Sequence, residues 1–478
     1  MEINNNVLIV GNDPSIIAGV TNYTRPLAEQ LSKSGVKVSH LYSTANAAEY
    51  DFGIMRFKTF TENNITHHKL INPKGLEFNY DHLDLDHSNW FNSRFKILLK
   101  KNKINVIHIN ELYGFSSNII KAAKSMNVKV FVTVHDYWWL CPHKVMVDFN
   151  GKICEGPTDR KKCAYCIHKK LPFFNTLYLK NNYRIKTVFP FFHKLLSTLK
   201  KLLVKDTHSL MNLNPRNEKI KINESTKKIN PIAFKRLKKN IEALNLADKV
   251  ICVSNDVKKN LTKYGVNKNK CLVNHIGSTI ASGARKIITK KINKNKINFG
   301  FIGGVGYYKG LHLLIKAYDT LSSDEKSKCS VNIYGNIANN YKDALNNLIS
   351  QIDPKYRNKV KLHGKFKRNQ LDKICNSFDI AVLPSLCADT APQTIFESFS
   401  YKIPIIAPNI GGFPDFVKHL KNGLIFKPGD HESLSSMMKI IIKNPYQISF
   451  FKKKIYPSKT MEQNTNELIK LYKLDSTQ

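Results

Sequence analysis

The sequence predicts an α/β fold in which two domains, each built on a doubly wound parallel sheet, face a cleft. The chain has 478 residues, which is enough for two domains with separate cores. Apolar runs of strand length alternate with helical patterns, and this alternation starts again after a polar, Lys-rich linker at about 281–296. Such alternation is typical of parallel sheets. Because ligands bind at the carboxyl ends of parallel strands, we expect the functional site in the cleft.

Strand-length apolar runs recur through the first half of the chain. They lie at NNVLIVGN (5–12), VKVSHLYS (36–43), INVIHIN (104–110), VKVFVTVHD (128–136) and KVICVSN (249–255). Between the first two runs, apolar side chains recur at helical spacing from Val20 to Leu31, and Gly35 ends this helix. We therefore predict an N-terminal domain over residues 1–280.

The second half repeats the same pattern. Strands are predicted at NFGFIGG (298–304), CSVNIYG (329–335), VKLHGK (360–365), IAVLPS (380–385) and PIIAP (404–408). The segment KGLHLLIKAYDTL (309–321) predicts a helix, because its apolar residues fall on one helical face. We predict a C-terminal domain over 297–445. The remaining residues, 446–478, include a helical pattern that we expect to pack back on the N-terminal domain.

The chain is strongly basic. Its formal net charge is +39, and such an excess predicts an anionic partner: nucleic acid, an anionic membrane face or a phosphate-bearing substrate. Residues 168–240 form a basic insertion with 18 Lys and Arg against 3 Asp and Glu. Within it, leucines from Leu195 to Leu203 fall on one helical face. This helix either lies in a membrane interface beside anionic lipid or packs as a lid on the first domain.

The first residues, MEINNNVLIVGND, lack the basic and apolar regions of a signal peptide. No stretch approaches the roughly 20 apolar residues of a membrane-spanning helix. We therefore expect a cytoplasmic protein, peripheral on the cytoplasmic face of the membrane if the basic insertion binds lipid.

Four cysteines follow the strand at 128–136. Their spacing is C-x12-C-x8-C-x2-C, at Cys141, Cys154, Cys163 and Cys166. Four thiols at this spacing match a closed tetrahedral zinc site, which is structural because no ligand position stays open for water. Two alternatives remain: unconnected thiols, or disulfides if the compartment is oxidising.

Two carboxylates, Asp389 and Glu397, flank the predicted start of a helix near Pro392. The first backbone N–H groups of this helix, around Gln393 and Thr394, would lack partners and could bind a phosphate with the help of the helix dipole. Carboxylates on each side can accept hydrogen bonds from hydroxyls. This arrangement suits a diphosphate with hydroxyl-bearing groups at both ends, as in a nucleotide-sugar.

A glycine-rich turn, FIGGVGYYKG (301–310), leads from a strand into a helix. Glycines such as Gly303 let the backbone approach a phosphate closely, and Lys309 can neutralise its charge. His135 ends the strand at 128–136, and His108 is a weaker candidate in the preceding strand.

These motifs resemble those of the family 4 glycosyltransferases, which are retaining enzymes with two Rossmann-like domains, the GT-B fold. The family has two Glu separated by seven residues, and this chain has D-TAPQTIF-E at 389–397. The resemblance implies that Asp389 contacts the donor sugar and that Glu397 binds the ribose. Asp in place of the usual first Glu shortens this reach by one methylene.

Further parts of the chain are similar to the same family. SIIAGVTNY resembles its Gly-Gly-Val loop, so that Gly19 would meet the donor, and His135 would lie near the donor sugar. The family often has Arg where this chain has Gly304, so another cation would complete the diphosphate site. A subset carries a similar cysteine cluster. The resemblance covers about 1–165 and 240–478.

The sequence therefore predicts sugar transfer with retention from a nucleotide-sugar to a glycan or lipid-linked acceptor, in surface polysaccharide synthesis. His135, Lys309 and Asp389 are the expected catalytic residues, and no catalytic metal is required. A phosphorylase with this fold would need a pyridoxal phosphate lysine, which is not identifiable. Asp84-Leu85-Asp86 resembles a metal-binding DxD, but its polar surroundings predict a turn or helix start. The alternative class is a basic nucleic-acid-binding protein with structural zinc, although no specific nucleic acid is expected.

Overall fold

Two separate β-sheets organise the molecule, and the predicted α/β fold with two sheet domains is confirmed. The structure is a computed structural model that describes residues 6–16, 19–43, 55–71, 89–112, 114–141, 144–157, 161–163, 166, 224–281, 287, 292–304, 306–337 and 339–473. The predicted leucine-faced helix of the basic insertion and the Asp84-Leu85-Asp86 segment lie outside these residues.

The N-terminal sheet has the strand order β3-β4-β2-β1-β5-β6-β7-β8. Its strands are β1 (Asn6–Val10), β2 (Lys37–Ser43), β3 (Arg56–Glu62), β4 (Ile65–Ile71), β5 (Val106–Ile109), β6 (Lys129–Val134), β7 (Lys249–Cys252) and β8 (Cys271–Val273). Its helices are α1 (Thr21–Lys33), α2 (Asn89–Lys101), α3 (Asn118–Lys124), α4 (Glu224–Leu246) and α5 (Asn255–Lys263).

One edge of this sheet departs from the prediction of parallel strands. Strand β3 pairs antiparallel with β4, whereas β4 pairs parallel with β2. Asn63 and Asn64 connect them with φ values of 50° and 60°, and Asn tolerates this left-handed conformation better than most residues. The prediction missed this hairpin.

The C-terminal sheet is parallel throughout, with the order β11-β10-β9-β12-β13-β14. Its strands are β9 (Ile297–Ile302), β10 (Cys329–Tyr334), β11 (Val360–Gly364), β12 (Ile380–Val382), β13 (Ile405–Pro408) and β14 (Gly423–Phe426). The helices that follow β9 are α6 (Leu311–Asp319), α7 (Ser323–Ser327), α8 (Asn339–Gln351), α9 (Pro354–Arg357), α10 (Leu371–Ser377), α11 (Gln393–Ser400), α12 (Phe413–Phe416), α13 (His431–Lys443), α14 (Tyr446–Lys453) and α15 (Met461–Lys473).

The last helix, α15, packs on the N-terminal domain. Met461, Leu468 and Tyr472 are buried in the core of that domain. The Tyr23 hydroxyl of α1 donates a hydrogen bond to Asn464 Oδ1 at 2.7 Å. The chain therefore crosses between the domains twice.

The described end of the basic insertion is helical. Helix α4 packs on a 3-10 turn at Tyr137–Trp139, where the Arg236 guanidinium lies 4.4 Å from the centre of the Trp138 ring. Asn240 donates to the Trp139 carbonyl at 3.0 Å. Among the helices in the described ranges, none is long and apolar enough to cross a membrane.

Candidate active site

A cavity of about 370 Å³ lies between the two domains, within the size range of small-molecule sites. The C-terminal domain lines it with the loops that follow β9 and β12 and with the start of α11. The N-terminal domain contributes Gly19, Val20, Asn22 and His135. Both sheets therefore present their carboxyl edges to one space, as we expected from the alternation of strands and helices in the two domains.

The first turn of α11 points open backbone donors at this cavity. The helix begins at Gln393, after Pro392 in extended conformation, and no side chain caps it. No acceptor within the described part of the chain receives the N–H of Gln393 or Thr394, and both residues line the cavity. This helix start can bind an anion through two amide groups and the helix dipole.

Lys309 and Asp389 form an ion pair at the wall of the cavity, with Lys309 Nζ 2.5 Å from Asp389 Oδ2. Burial disfavours the charge of Lys309, but the Asp389 carboxylate, with smaller contributions from Cys387 and Tyr308, raises the pKa of the ammonium above its usual range. Ser385 Oγ also donates to Asp389, at 3.4 Å. The lysine is thus charged, and the pair offers a cation to an anionic ligand beside a carboxylate that can accept from a hydroxyl.

Gly310 allows the Lys309 turn to approach the loop after β12. Its φ is +71°, and a Cβ at this position would lie 1.9 Å from the Pro384 carbonyl oxygen. Only glycine fits both the left-handed backbone and this close contact. The glycine of the KG pair therefore positions the lysine opposite Asp389.

His135 lines the cavity from the end of β6. Its Nε2–H donates to Asn110 Oδ1 at 2.9 Å, and its ring centroid lies 4.7 Å from that of Tyr23. Burial, with a smaller contribution from His108, lowers the pKa of His135 to about 3. The imidazole is therefore neutral and can exchange hydrogen bonds without adding charge. Its backbone carbonyl accepts a hydrogen bond from Thr390 Oγ1, which joins the two domains beside the cavity.

His108 does not line the cavity. It is fully buried, with Nδ1 2.6 Å from the Tyr472 hydroxyl and Nε2 2.6 Å from the Thr133 hydroxyl. It thus connects β5 with β6 and α15 and serves the core.

Gly19 lies at the mouth of the cavity, and no heavy atom comes within 4 Å of the position that its Cβ would occupy. Local packing therefore does not require glycine there. Gly303 also lines the cavity, and its φ of +148° is rare for other residues.

Glu397 lies one turn behind the open end of α11. It follows Gln393 by four residues and Thr394 by three, so it shares their face of the helix. The side chain is half-buried and does not itself line the cavity. A contact between Glu397 and a ligand would therefore involve a part that extends beyond the cavity along α11.

The four clustered cysteines are half-buried, and none forms a disulfide with another described cysteine: Cys141, Cys154, Cys163 and Cys166. Burial raises the pKa of the Cys166 thiol, and the nearby Cys141 and Cys163 add to this shift. Within the described ranges, however, no group of three or more His, Cys, Asp or Glu side chains could hold a metal ion. Structural zinc on these four cysteines stays a prediction.

Sequence reasoning missed four polar residues of this site. Asn22 and Thr390 line the cavity, Ser385 contacts Asp389, and Asn110 orients His135. Position gave a usable signal for two of them, because Asn110 directly follows β5 and Ser385 lies just beyond β12. Polar residues at carboxyl ends of parallel strands are candidates for any such site.

Two family models match the two domains. Residues 17–153 match the model described as Glycosyltransferase Family 4, and residues 284–457 match Glycosyl transferases group 1. The first match includes Gly19 and His135, and the second includes the Gly303, Lys309 and Asp389 region.

Curated relatives share moderate similarity over part of their length. An uncharacterised glycosyltransferase of Methanocaldococcus jannaschii is 24% identical over 178 residues, covering 36% of this chain and 44% of the relative. Sulfoquinovosyl transferase of Arabidopsis thaliana is 25% identical over 144 residues, covering 30% of this chain and 26% of the relative. The matched part thus spans half or less of these relatives' length.

Solved structures align over nearly the whole chain. Sucrose-phosphate synthase from Thermosynechococcus elongatus has a TM-score of 0.59 at 13% identity, with coverage of 98% of this chain and 99% of the other. HepE of Anabaena in complex with UDP-glucose has a TM-score of 0.54 at 12% identity, with coverage of 97% and 99%. At such identities the likeness shows the fold alone, which is GT-B. The alternative of a nucleic-acid-binding protein finds no support in these comparisons.

Proposed function

Because the chain has the fold and both domain types of a GT-B glycosyltransferase similar to family 4, we propose that it transfers a sugar from a nucleotide-sugar to a glycan or lipid-linked acceptor with retention of anomeric configuration. One observation carries this proposal. A cation, two open helix amides and a neutral histidine converge on a single cavity between the domains.

The donor diphosphate would bind at the start of α11. Gln393 and Thr394 offer their N–H groups there, and Lys309 supplies positive charge within the same cavity. Gly304 replaces the arginine that the family often has, so the amides and Lys309 carry the recognition of the diphosphate. A GT-B neighbour, HepE of Anabaena, is known in complexes with UDP and with UDP-glucose. These complexes support a nucleoside diphosphate as the ligand proposed for this chain.

The ribose of the donor would extend along α11 toward Glu397. The diphosphate at the helix start and a carboxylate one turn further along the same face match the order of groups in a nucleotide-sugar. The cavity holds about 370 Å³, and the position of Glu397 beyond its wall agrees with a ligand longer than the cavity.

The chemical step breaks the bond between the anomeric carbon and the diphosphate oxygen and forms a bond to an acceptor oxygen. The acceptor proton passes to the departing phosphate on the same face of the sugar. Preorganised donors aimed at the developing negative charge stabilise this departure, and here they are Lys309 and the amides of α11. The ion-paired Asp389 can accept a hydrogen bond from a sugar hydroxyl, and the neutral His135 can bind the sugar or the leaving phosphate. This mechanism requires no catalytic metal.

Retention without a covalent intermediate is the form that this site favours. Among the described residues that line the cavity, Asp389 is the carboxylate, and it already pairs with Lys309. A retaining glycosidase instead uses a carboxylate as nucleophile. The acceptor would approach from the N-terminal domain, past Gly19 and Asn22.

The cellular setting belongs to the same proposal. We propose a cytoplasmic enzyme of surface polysaccharide synthesis, held at the anionic membrane face by the basic insertion at 168–240, with structural zinc on the four clustered cysteines. The net charge of +39 supports contact with anionic lipid.

Glu397→Ala tests the assignment of the donor site. Thermal-shift screening with UDP-, GDP- and ADP-sugars first identifies the donor, and turnover of that donor is then measured with release of nucleoside diphosphate. We expect the variant to lose turnover and to keep the wild-type melting temperature without donor. Glu432→Ala, at an exposed acid in the first turn of α13, is the control and should retain activity. Near-normal turnover of the Glu397 variant would refute the ribose assignment.

A further inference from the structure

Two strands of the C-terminal sheet alternate buried side chains with half-buried or exposed ones, which is unusual for a parallel sheet that is covered on both faces. Strand β10 (CSVNIY) alternates buried and half-buried side chains, and β11 (VKLHG) places Lys361 and His363 in solvent. Strands β12 and β13 are buried at every position. Parallel strands covered on both faces have nearly continuous apolar sequences. One face of the sheet is therefore open at β10 and β11.

The open face borders a second cavity, of about 540 Å³, which we call the basal cavity. Lys296 precedes β9, Lys359 precedes β11 and Asp379 precedes β12, so this cavity lies at the amino ends of the strands. The donor cavity lies at their carboxyl ends. The two cavities therefore occupy opposite edges of one sheet, and the catalytic proposal makes no use of the basal cavity.

Amides and hydroxyls form the floor of the basal cavity in a connected network. Asn298 Oδ1 accepts from Asn332 Nδ2 at 2.6 Å, and Asn298 Nδ2 donates to the Ser377 carbonyl at 2.7 Å. Asn332 Oδ1 lies 2.8 Å from His363 Nε2, and Ser330 Oγ lies 3.4 Å from Asn298 Oδ1. Such a network fixes the direction of each polar group. The floor is thus a preorganised polar surface.

Positive charge exceeds negative charge in the basal cavity. Three lysines line it, namely Lys296, Lys359 and Lys361, against the single carboxylate of Asp379. Asp379 Oδ2 accepts from the backbone N–H of Asn298 at 2.8 Å. Within the described part of the chain, no ion pair engages Lys296 or Lys361. An anion can therefore bind these two ammonium groups without displacing a protein carboxylate.

The residues that line the basal cavity do not suit nucleic-acid bases or lipid acyl chains. It consists of Asn, Ser, Lys and Asp side chains with one cysteine. Stacked nucleic-acid bases need aromatic or planar side chains, and acyl chains need apolar ones. Amides, hydroxyls and ammonium groups instead match a ligand with many hydroxyls and an acidic group.

We propose that the basal cavity binds an acidic oligosaccharide, whose carboxylate or phosphate contacts Lys296 and Lys361 while its hydroxyls contact the Asn298–Asn332 floor. The choice of a saccharide rests on the proposed function, because a glycan-extending enzyme meets such chains as acceptor or product. A site at this edge holds a growing chain on the enzyme while its end is extended elsewhere.

Isothermal titration with three probes tests this proposal on the full chain: a hyaluronan tetrasaccharide, the neutral maltotetraose and inorganic phosphate. We expect the acidic tetrasaccharide to bind and the neutral one to bind at least about tenfold more weakly, since charge-assisted hydrogen bonds are the stronger ones. Inorganic phosphate at the same concentration should not displace the tetrasaccharide. No binding, equal binding of maltotetraose or full displacement by phosphate would each overturn the assignment.

A matched pair of double variants removes the same charge from two places. Lys296→Ser with Lys361→Ser should weaken tetrasaccharide binding at least about tenfold. Lys342→Ser with Lys443→Ser, at exposed lysines of α8 and α13, should leave it unchanged. An equal loss in both pairs would show non-specific attraction to a basic protein and refute the site. Binding of the nucleoside diphosphate of the donor identified by the thermal-shift screening, measured in parallel, should persist in both pairs. Its absence in the wild type would count against the donor site and leave the tetrasaccharide result decisive for the basal cavity.

Discussion

The C-terminal domain lines the donor cavity with an ion pair and two open amides, whereas the N-terminal domain lines it with uncharged groups. Lys309, Asp389 and the start of α11 belong to the first set, and Gly19, Asn22 and the neutral His135 belong to the second. Burial keeps three imidazoles of the N-terminal domain uncharged: it lowers the pKa of His40, His108 and His135 to about 3 in each case.

This difference indicates that the two domains have different roles in ligand binding. In the proposed function, the lining of the cavity attracts an anionic diphosphate to the C-terminal domain, so we expect the donor to bind in a single favourable orientation. The opposite domain can then accommodate a neutral hydroxyl acceptor without competing for the phosphate. The following predictions test that division, starting with the largest expected effect.

Removal of the Lys309 ammonium should impair the charged part of the cavity lining, which the C-terminal domain provides. We expect Lys309→Ala to lower kcat/KM for the identified donor by about 100-fold or more, since deletion of one preorganised group at a developing charge typically costs this much. The exposed Lys316 on α6 provides the control, and Lys316→Ala should stay near wild type. Steady-state kinetics decide the matter, and similar losses in both variants would remove Lys309 from the mechanism.

Acid should destabilise the N-terminal domain through its buried neutral histidines. The ordinary pKa of histidine is 6.5, and that of buried His40 is about 3. Below pH 6.5 the unfolded chain therefore binds a proton that the folded chain does not, and stability falls as the pH drops toward 3. Above pH 6.5 this group has no effect. The limiting slope is about 1.4 kcal/mol per pH unit for one such histidine.

The variant His40→Gln should reduce this acid dependence by up to that slope. Urea unfolding at about pH 7, 6, 5 and 4 gives the free energy of unfolding at each pH and therefore the slope. A His40 variant with an unchanged slope would contradict the neutral buried state of His40.

The smallest effect on donor binding is expected from a glycine substitution in the N-terminal domain, at Gly19. Gly19→Ala meets open space, so the free energy of unfolding should change by less than about 0.5 kcal/mol. Donor affinity should fall about fivefold, or roughly 1 kcal/mol, if the backbone of Gly19 contacts the ligand. Gly310→Ala should instead lower the melting temperature, because its Cβ would collide with Pro384. Unchanged donor affinity in a stable Gly19 variant would place the ligand elsewhere.

Much of the fold was predictable because its signals are local. The apolar runs of β1, β5, β6 and β9 and the helical pattern of α15 each lie within one short segment. The β3–β4 hairpin also had a local signal that went unused: the Asn63-Asn64 pair between RFKTFTE and ITHHKLI is typical of a tight hairpin turn. Its polar strands hid the pattern.

The candidate site was predictable only in part, since its geometry depends on tertiary contacts. The open start of α11 follows from Pro392 and the sequence around it. The Lys309–Asp389 ion pair joins residues 80 positions apart, and neither segment predicts the other. The neutral state of His135 likewise depends on burial between β6 and its neighbours, which no motif encodes.

Where the chain passes from one domain to the other, its two crossings run side by side. The N–H of Ser278 donates to the Lys459 carbonyl at 2.9 Å, and Ser278 pairs with Thr460 in a short parallel bridge. A Cβ on the adjacent Gly277 would lie 2.5 Å from the Thr460 carbonyl oxygen. Because the two backbones are hydrogen-bonded to each other here, we expect the domains to open by rotation about this bridge and not by sliding past each other. Substrate entry and product exit would then follow a single opening motion, with its axis beside residues 277–278.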